Sequence, residues 1–94
     1  MHFAILNHDK PGNVDLRMKV RETHLTYLRG VGSRLMTAGP ILAEDGQTPI
    51  GSLLIVEAED MAAARKFADD DPYAQAGLFS SSVIWPWRLV FPEK

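Results

Sequence analysis

The sequence predicts an α+β fold with the element order βαββαβ, and three observations carry that expectation. Four short apolar runs have strand character, two stretches carry apolar residues at helical period, and turn chemistry separates them. The two helical stretches sit between the first and second strands and between the third and fourth. With right-handed crossovers, that order folds into a ferredoxin-like split βαβ sheet, antiparallel, with strand order 4-1-3-2 and both helices on one face.

Each element has its own local reason. "HFAILNHD", His2 to Asp9, is an apolar run that ends at the turn residues "DKPGN", which makes it the first strand. From Val14 to Ser33 there is no proline, glycine enters only at Gly30 and Gly32, and the apolar period is helical, with Asn13 as the cap. "SRLMTAGPIL" reads as a second strand interrupted at Gly39-Pro40, "AEDGQTP" as a hairpin turn, and "IGSLLIVEAE" as the third strand. Asp60 caps a second helix, "MAAARKFADD", rich in good helix formers. "LFSSSVIWPWRLVF" is the last strand, with Val83, Trp85, Trp87 and Leu89 on one side. Pro86 cannot donate to a ladder, so this strand belongs at a sheet edge, where the topology puts it.

The 94 residues make one domain, 1–94, whose core is modest: a chain of this size buries roughly 60–70% of its extended surface. The strands carry apolar side chains at both parities, Phe3 and Ile5 on one side, Ala4 and Leu6 on the other. The helix-free sheet face therefore wants cover, and a homodimer is expected. A net charge of −2, with Lys and Arg scattered along the chain, argues against nucleic acid and anionic membrane as partners. There is no cysteine, which fits a reducing cytoplasm and removes thiol chemistry. "MHFAILNHDK" lacks a basic leader, and no run approaches the ~18–20 apolar residues that span a bilayer, so a soluble, unprocessed cytoplasmic protein is expected. His2 and His8 share a side of the first strand but stand about 20 Å apart at ~3.3 Å per residue, and no metal-ligand spacing occurs elsewhere.

The first helix breaks its own pattern. At about 100° per residue, Val14, Leu16, Met18, Val20, Leu25, Tyr27, Leu28, Val31 and Leu35 cover a broad apolar arc. Arg17, Arg21 and His24 project into the middle of it, along one line at i, i+4 and i+7. Buried charges without partners cost several kcal/mol each, so either this part of the helix overhangs a solvated cleft or anionic partners lie close. The aspartates at 69 to 71 are the protein-supplied candidates. Of these, Asp71 precedes Pro72, with Gly77 six residues on, and reads as the N-cap of a short helical turn. Asp69 and Asp70 read as solvated residues at a helix end, and Thr37, Ser80, Ser81 and Ser82 lie in no nucleophile-elbow context.

Three blocks, "RMKVRETHLTYL" (Arg17 to Leu28), "LMTAGP" (Leu35 to Pro40) and "FADDDPYAQAGLF" (Phe67 to Phe79), resemble the signature blocks of the YciI-like, or YCII-related, proteins. The resemblance runs over essentially the whole chain in the right order, with the R-x-x-x-R-x-x-H spacing and the later D-P-Y as its specific part. It implies a dimeric α+β barrel built from ferredoxin-like units and a His–Asp active-site pair, here His24 and Asp71. Tyr73, Gly39 and Pro40, within the same blocks, join Arg17 and Arg21 as the implied substrate contacts. Relatives of the family include dehalogenase and lactone-processing members. The chain departs from the pattern at its short hairpin "AEDGQTP", where relatives can carry a longer loop, so no particular substrate carries over.

Residue chemistry points the same way. An aspartate orients a histidine and holds one tautomer, which suits general acid–base work. Two arginines beside it would hold a carboxylate or enolate and stabilise developing charge. The expected function is cofactor-free proton transfer on a small anionic organic molecule, as isomerisation, elimination such as dehalogenation, or hydrolysis. The alternative is a non-catalytic dimeric module that binds a small anion for regulation or sensing.

Overall fold

A computed structural model describes residues 1–93. Its elements are β1 (His2–Asp9), α1 (Val14–Val31), a 3-10 turn (Gly32–Arg34), β2 (Leu35–Leu42), β3 (Pro49–Glu57), α2 (Met61–Asp70), α3 (Pro72–Gln75) and β4 (Phe79–Trp87). The four strands form one antiparallel sheet in the order β2-β3-β1-β4, the order expected from the crossovers, and the fold is ferredoxin-like α+β. No helix among the described residues is long and apolar enough to cross a membrane.

Alternation builds the core. Phe3 and Ile5 of β1, Leu54 and Val56 of β3 and Ile84 of β4 meet Ala64 and Ala68 of α2, with Leu28, Val31 and Phe67 packed against them. Each large member is worth roughly 1.5–3 kcal/mol of burial. At Gly51 a Cβ would collide with the Asn7 carbonyl oxygen, so β1 and β3 approach there only because glycine has none. Asp60 caps α2 as expected, accepting from the Ala63 N–H at 2.8 Å.

Several element ends differ from the sequence reading for physical reasons. β4 stops at Trp87 instead of running to Phe91, because Trp87 faces His2 and β1 offers no partner beyond it. β3 runs from Pro49 to Glu57, ending where it too meets His2. β2 is not interrupted at Gly39-Pro40: Gly39 pairs with Leu53 and Pro40 with Ser52. As an edge strand, β2 leaves one backbone side without ladder bonds, so a proline is tolerated. The helix ends at Val31, and Gly32, at φ 68°, turns the chain into β2. Asn13 stands at the cap position without capping; its side-chain amide donates instead to the Lys10 and Pro11 carbonyls.

The arc expected on α1 is only partly a core. Leu28 and Val31 pack on the sheet, but Val14 and Met18 are exposed, and the residues α1 fully buries are Arg17 and His24. The N-terminal half of the helix thus stands over a cleft, and only its C-terminal half closes the core.

Candidate active site

That cleft is a cavity of about 400 Å³, within the usual range for small-molecule sites. α1 lines it with Arg17, Met18, Arg21, His24, Leu25 and Leu28, and β2 supplies Ala38, Gly39 and Pro40. Ser52 and Leu54 come from β3, Tyr73 from α3, and Leu42, Gln47 and Pro49 from the β2–β3 hairpin region. All five residues expected to contact substrate, Arg17, Arg21, Tyr73, Gly39 and Pro40, border this space together with His24. Asp71 stands behind it.

The short turn after α2 brings Asp71 there. Its side chain caps α3 by accepting from the Tyr73 N–H at 2.9 Å, Pro72 occupies the first helical position, and Gly77, at φ 74°, follows the end. The same oxygen, Oδ1, lies 2.8 Å from His24 Nδ1, and both residues are buried. A carboxylate is acceptor-only, so His24 Nδ1 carries the proton and Nε2 is the ring nitrogen available to the cavity. The imidazole also stacks on Tyr73, with ring centres 4.0 Å apart and planes 17° from parallel. Cap, hydrogen bond and stack fix the ring in one orientation.

Arg17 is held by a residue that the sequence reading took for turn chemistry. Its Nε donates to Asp9 Oδ2 at 2.6 Å, and its Nη2 donates to Asp9 Oδ1 at 3.0 Å and to Ser52 Oγ at 2.9 Å. Burial on its own would lower the Arg17 pKa, but the Asp9 hydrogen bonds and charge outweigh it and raise the value above the ordinary one. The Arg17 guanidinium carbon lies 4.5 Å from the centre of the Tyr73 ring, a cation–π distance. Burial raises the Tyr73 pKa, against the opposing charges of Arg17 and Arg21, so the phenol keeps its proton and can donate.

The aspartates at 69 to 71 are therefore not the common partners of the stripe. Only Asp71 reaches it; Asp70 pairs with Lys66 at 2.9 Å on the surface, and the backbone carbonyl of Asp69 accepts from Gln75. Arg21 is half exposed, its nearest carboxylate Glu22 at 4.0 Å. Asp9 and Ser52 were missed as site residues. The legible signal for Asp9 was the helix-facing side of β1, which turns from apolar at Phe3 and Ile5 to polar at Asn7 and Asp9. The hairpin was missed too: although short, it brings Gln47 and Pro49 to the rim of the cavity. Among the described residues, no group of three or more His, Cys, Asp or Glu side chains that could hold a metal ion forms.

Comparison with known proteins gives consistent answers. The model of the YCII-related domain matches residues 1–88. Protein YciI of Escherichia coli O6:H1 is 37% identical over 98 residues, covering 97% of this chain and all of its own length. Among solved structures, the 5-chloro-2-hydroxyhydroquinone dehydrochlorinase TftG of Burkholderia phenoliruptrix AC1100, in complex with 2,5-dihydroxybenzoquinone, superposes with a TM-score of 0.86 at 33% identity over 94% of each chain. SnoaB, a cofactor-independent oxygenase from Streptomyces nogalater, has a TM-score of 0.62 at 13% identity over 98% of this chain and 97% of its own, a likeness of fold alone. With a family model spanning 88 positions and relatives aligned end to end, this chain belongs to the YCII-related domain family.

Proposed function

We propose that this protein is an enzyme of small organic molecules in which His24, oriented by Asp71, moves a proton to or from the substrate without a resident cofactor. The observation that carries the reading is the buried 2.8 Å contact between His24 Nδ1 and Asp71 Oδ1, which occupies Nδ1 and leaves Nε2 as the ring nitrogen that can exchange a proton at the wall of a cavity. Elimination is the favoured reaction class, supported by the likeness to a dehydrochlorinase at 33% identity. Nε2 takes a proton from the substrate, the electron pair left behind forms the new π bond, and the leaving group departs with its own pair. For a halogenated substrate the sum is loss of HX. His24 then returns its proton to water at the cavity mouth. Tyr73 donates a hydrogen bond from its retained phenol proton, and arginine charge stabilises the anion that develops.

The proposal includes pairing of two copies through the helix-free sheet face. Leu53, Val83 and Trp85 lie on that face and are 43%, 38% and 63% exposed, which is a poor outcome for a lone chain in water.

Turnover tests the reading. Purified protein is incubated with a panel of halogenated hydroquinones, halogenated acids and lactones, and halide release and product formation are followed. Catalysed release that is lost in His24→Gln supports the proposal. Ligands that raise the melting temperature without being converted favour the alternative of a non-catalytic anion-binding module.

A further inference from the structure

The two arginines that look equivalent in the sequence are not equivalent in charge. Three of the five N–H donors of Arg17 are already engaged, one on Nε and two on Nη2, by Asp9 and Ser52. Its charge is cancelled by the carboxylate that it grips, and both side chains of that pair are 6% exposed. Arg21, one helical turn on, has only the 4.0 Å approach of Glu22, whose own side chain is 79% exposed and largely solvated. Such a contact is worth little.

The rest of the cavity can be counted in the same way. Among the residues lining it, the charged groups are Arg17, Arg21 and, when protonated, His24. The pair of Arg17 with Asp9 is neutral as a unit, and His24 with Asp71 carries no net positive charge in either protonation state of the ring. Arg21 therefore stands as the single uncompensated positive charge at the wall. The remaining lining holds no further charged side chain to balance a second negative charge: Gln47, Ser52 and Tyr73 are neutral, and Leu25, Leu28 and Leu54 are apolar.

We infer that Arg21 alone holds the negative charge of the substrate, that Arg17 is a positioning residue for Tyr73, and that the site therefore selects monoanions over dianions. This rests on reading the cavity as the substrate site, but every test of it is a binding measurement that does not depend on turnover.

The probes are benzoate and phthalate, one aromatic ring with one or two carboxylates, measured by calorimetry and by thermal shift. Wild-type protein should bind benzoate more tightly than phthalate. Arg21→Met should weaken benzoate by about tenfold, the size of a lost charge-assisted hydrogen bond, and Arg21→Lys should restore most of it. Because Arg21 is exposed, neither variant threatens the fold. Asp9→Asn releases the charge of Arg17, so it should move the benzoate-to-phthalate ratio toward phthalate, which a merely structural pair would not do. Benzoate binding that ignores Arg21→Met, a wild-type preference for phthalate, or no benzoate binding at all overturns the inference. A protein that binds as expected yet turns nothing over leaves it standing and removes the acid–base reading instead.

Discussion

One oxygen of Asp71 serves two structures: Oδ1 accepts from His24 Nδ1 at 2.8 Å while also accepting the Tyr73 N–H at 2.9 Å as the cap of α3. The concentration of negative charge before Pro72 is thus divided by burial. Asp71 is turned inward to an imidazole, and Asp69 and Asp70 face solvent. On the proposed reading this one side chain serves both stability and chemistry, and substitutions can separate the two.

Asp71→Asn keeps a cap but exchanges the carboxylate for an amide that can donate to Nδ1 and so stabilise the wrong tautomer. It should lower turnover by roughly 10²–10⁴-fold, the usual worth of a positioned acid–base group, with little loss of stability. Asp71→Ala should lose the cap as well and cost about 0.5–2 kcal/mol beyond the Asn variant. Urea unfolding alongside initial rates resolves the two effects. Equal rates in wild type and Asp71→Asn would reduce Asp71 to a cap.

The buried pair of Arg17 and Asp9 should show the asymmetry of broken ion pairs. Arg17→Met leaves the Asp9 carboxylate buried without a partner and should destabilise the fold by roughly 3–5 kcal/mol. Adding Asp9→Asn removes the orphaned charge and should recover more than half of that loss. A double-mutant cycle by chemical denaturation measures it, and strictly additive effects would mean that the two side chains are not coupled.

How much of this was legible in the sequence depended on whether the signal was local. Strand order, helix positions, and the caps at Asp60 and Asp71 follow from periodicity and turn chemistry, and the structure reproduces them. The stripe of Arg17, Arg21 and His24 was visible because three polar residues violated one helical arc. The nearness of His24 to Asp71 was expected, and the contact is there; the partners of Arg17 were not legible, because they join α1 to β1 and β3. Asp9 sits eight residues from Arg17 and Ser52 thirty-five, and helical arithmetic on α1 carries no information about either. The end of β4 was overrun for the same reason: an alternating run of residues does not record where its neighbour strand stops.

Pairing through the helix-free face predicts a dimer mass by sedimentation at micromolar concentration. Trp85, the most exposed of the large side chains on that face, is its most sensitive point. Trp85→Lys places a charge in the interface and should shift the protein to monomer while leaving the far-ultraviolet circular dichroism spectrum unchanged. A wild-type protein that sediments as one chain, or a Trp85→Lys dimer of undiminished affinity, sinks the idea.

The hairpin that rims the cavity carries its own pH signature. Asp45 Oδ1 accepts the Gln47 and Thr48 N–H groups at 2.9 Å each, and Oδ2 accepts the Thr48 hydroxyl at 2.5 Å. The Thr48 hydroxyl, followed by the backbone donors, holds the Asp45 carboxyl down from its ordinary 3.8 to about 2. A carboxylate depressed in the folded state contributes stability that is complete above its unfolded value and is lost as pH falls through the folded one. The contribution of Asp45 should therefore be constant above about pH 4 and fade between there and pH 2. Because Gln47 and Pro49 reach the cavity from this turn, loosening it should also weaken ligand binding before the fold is lost. NMR titration of the Gln47 and Thr48 amides checks the first point, with a common midpoint near 2 expected in wild type and absent in Asp45→Asn. Amides that titrate with a midpoint near 3.8, or that move identically in the variant, would show that the carboxylate does not organise the turn.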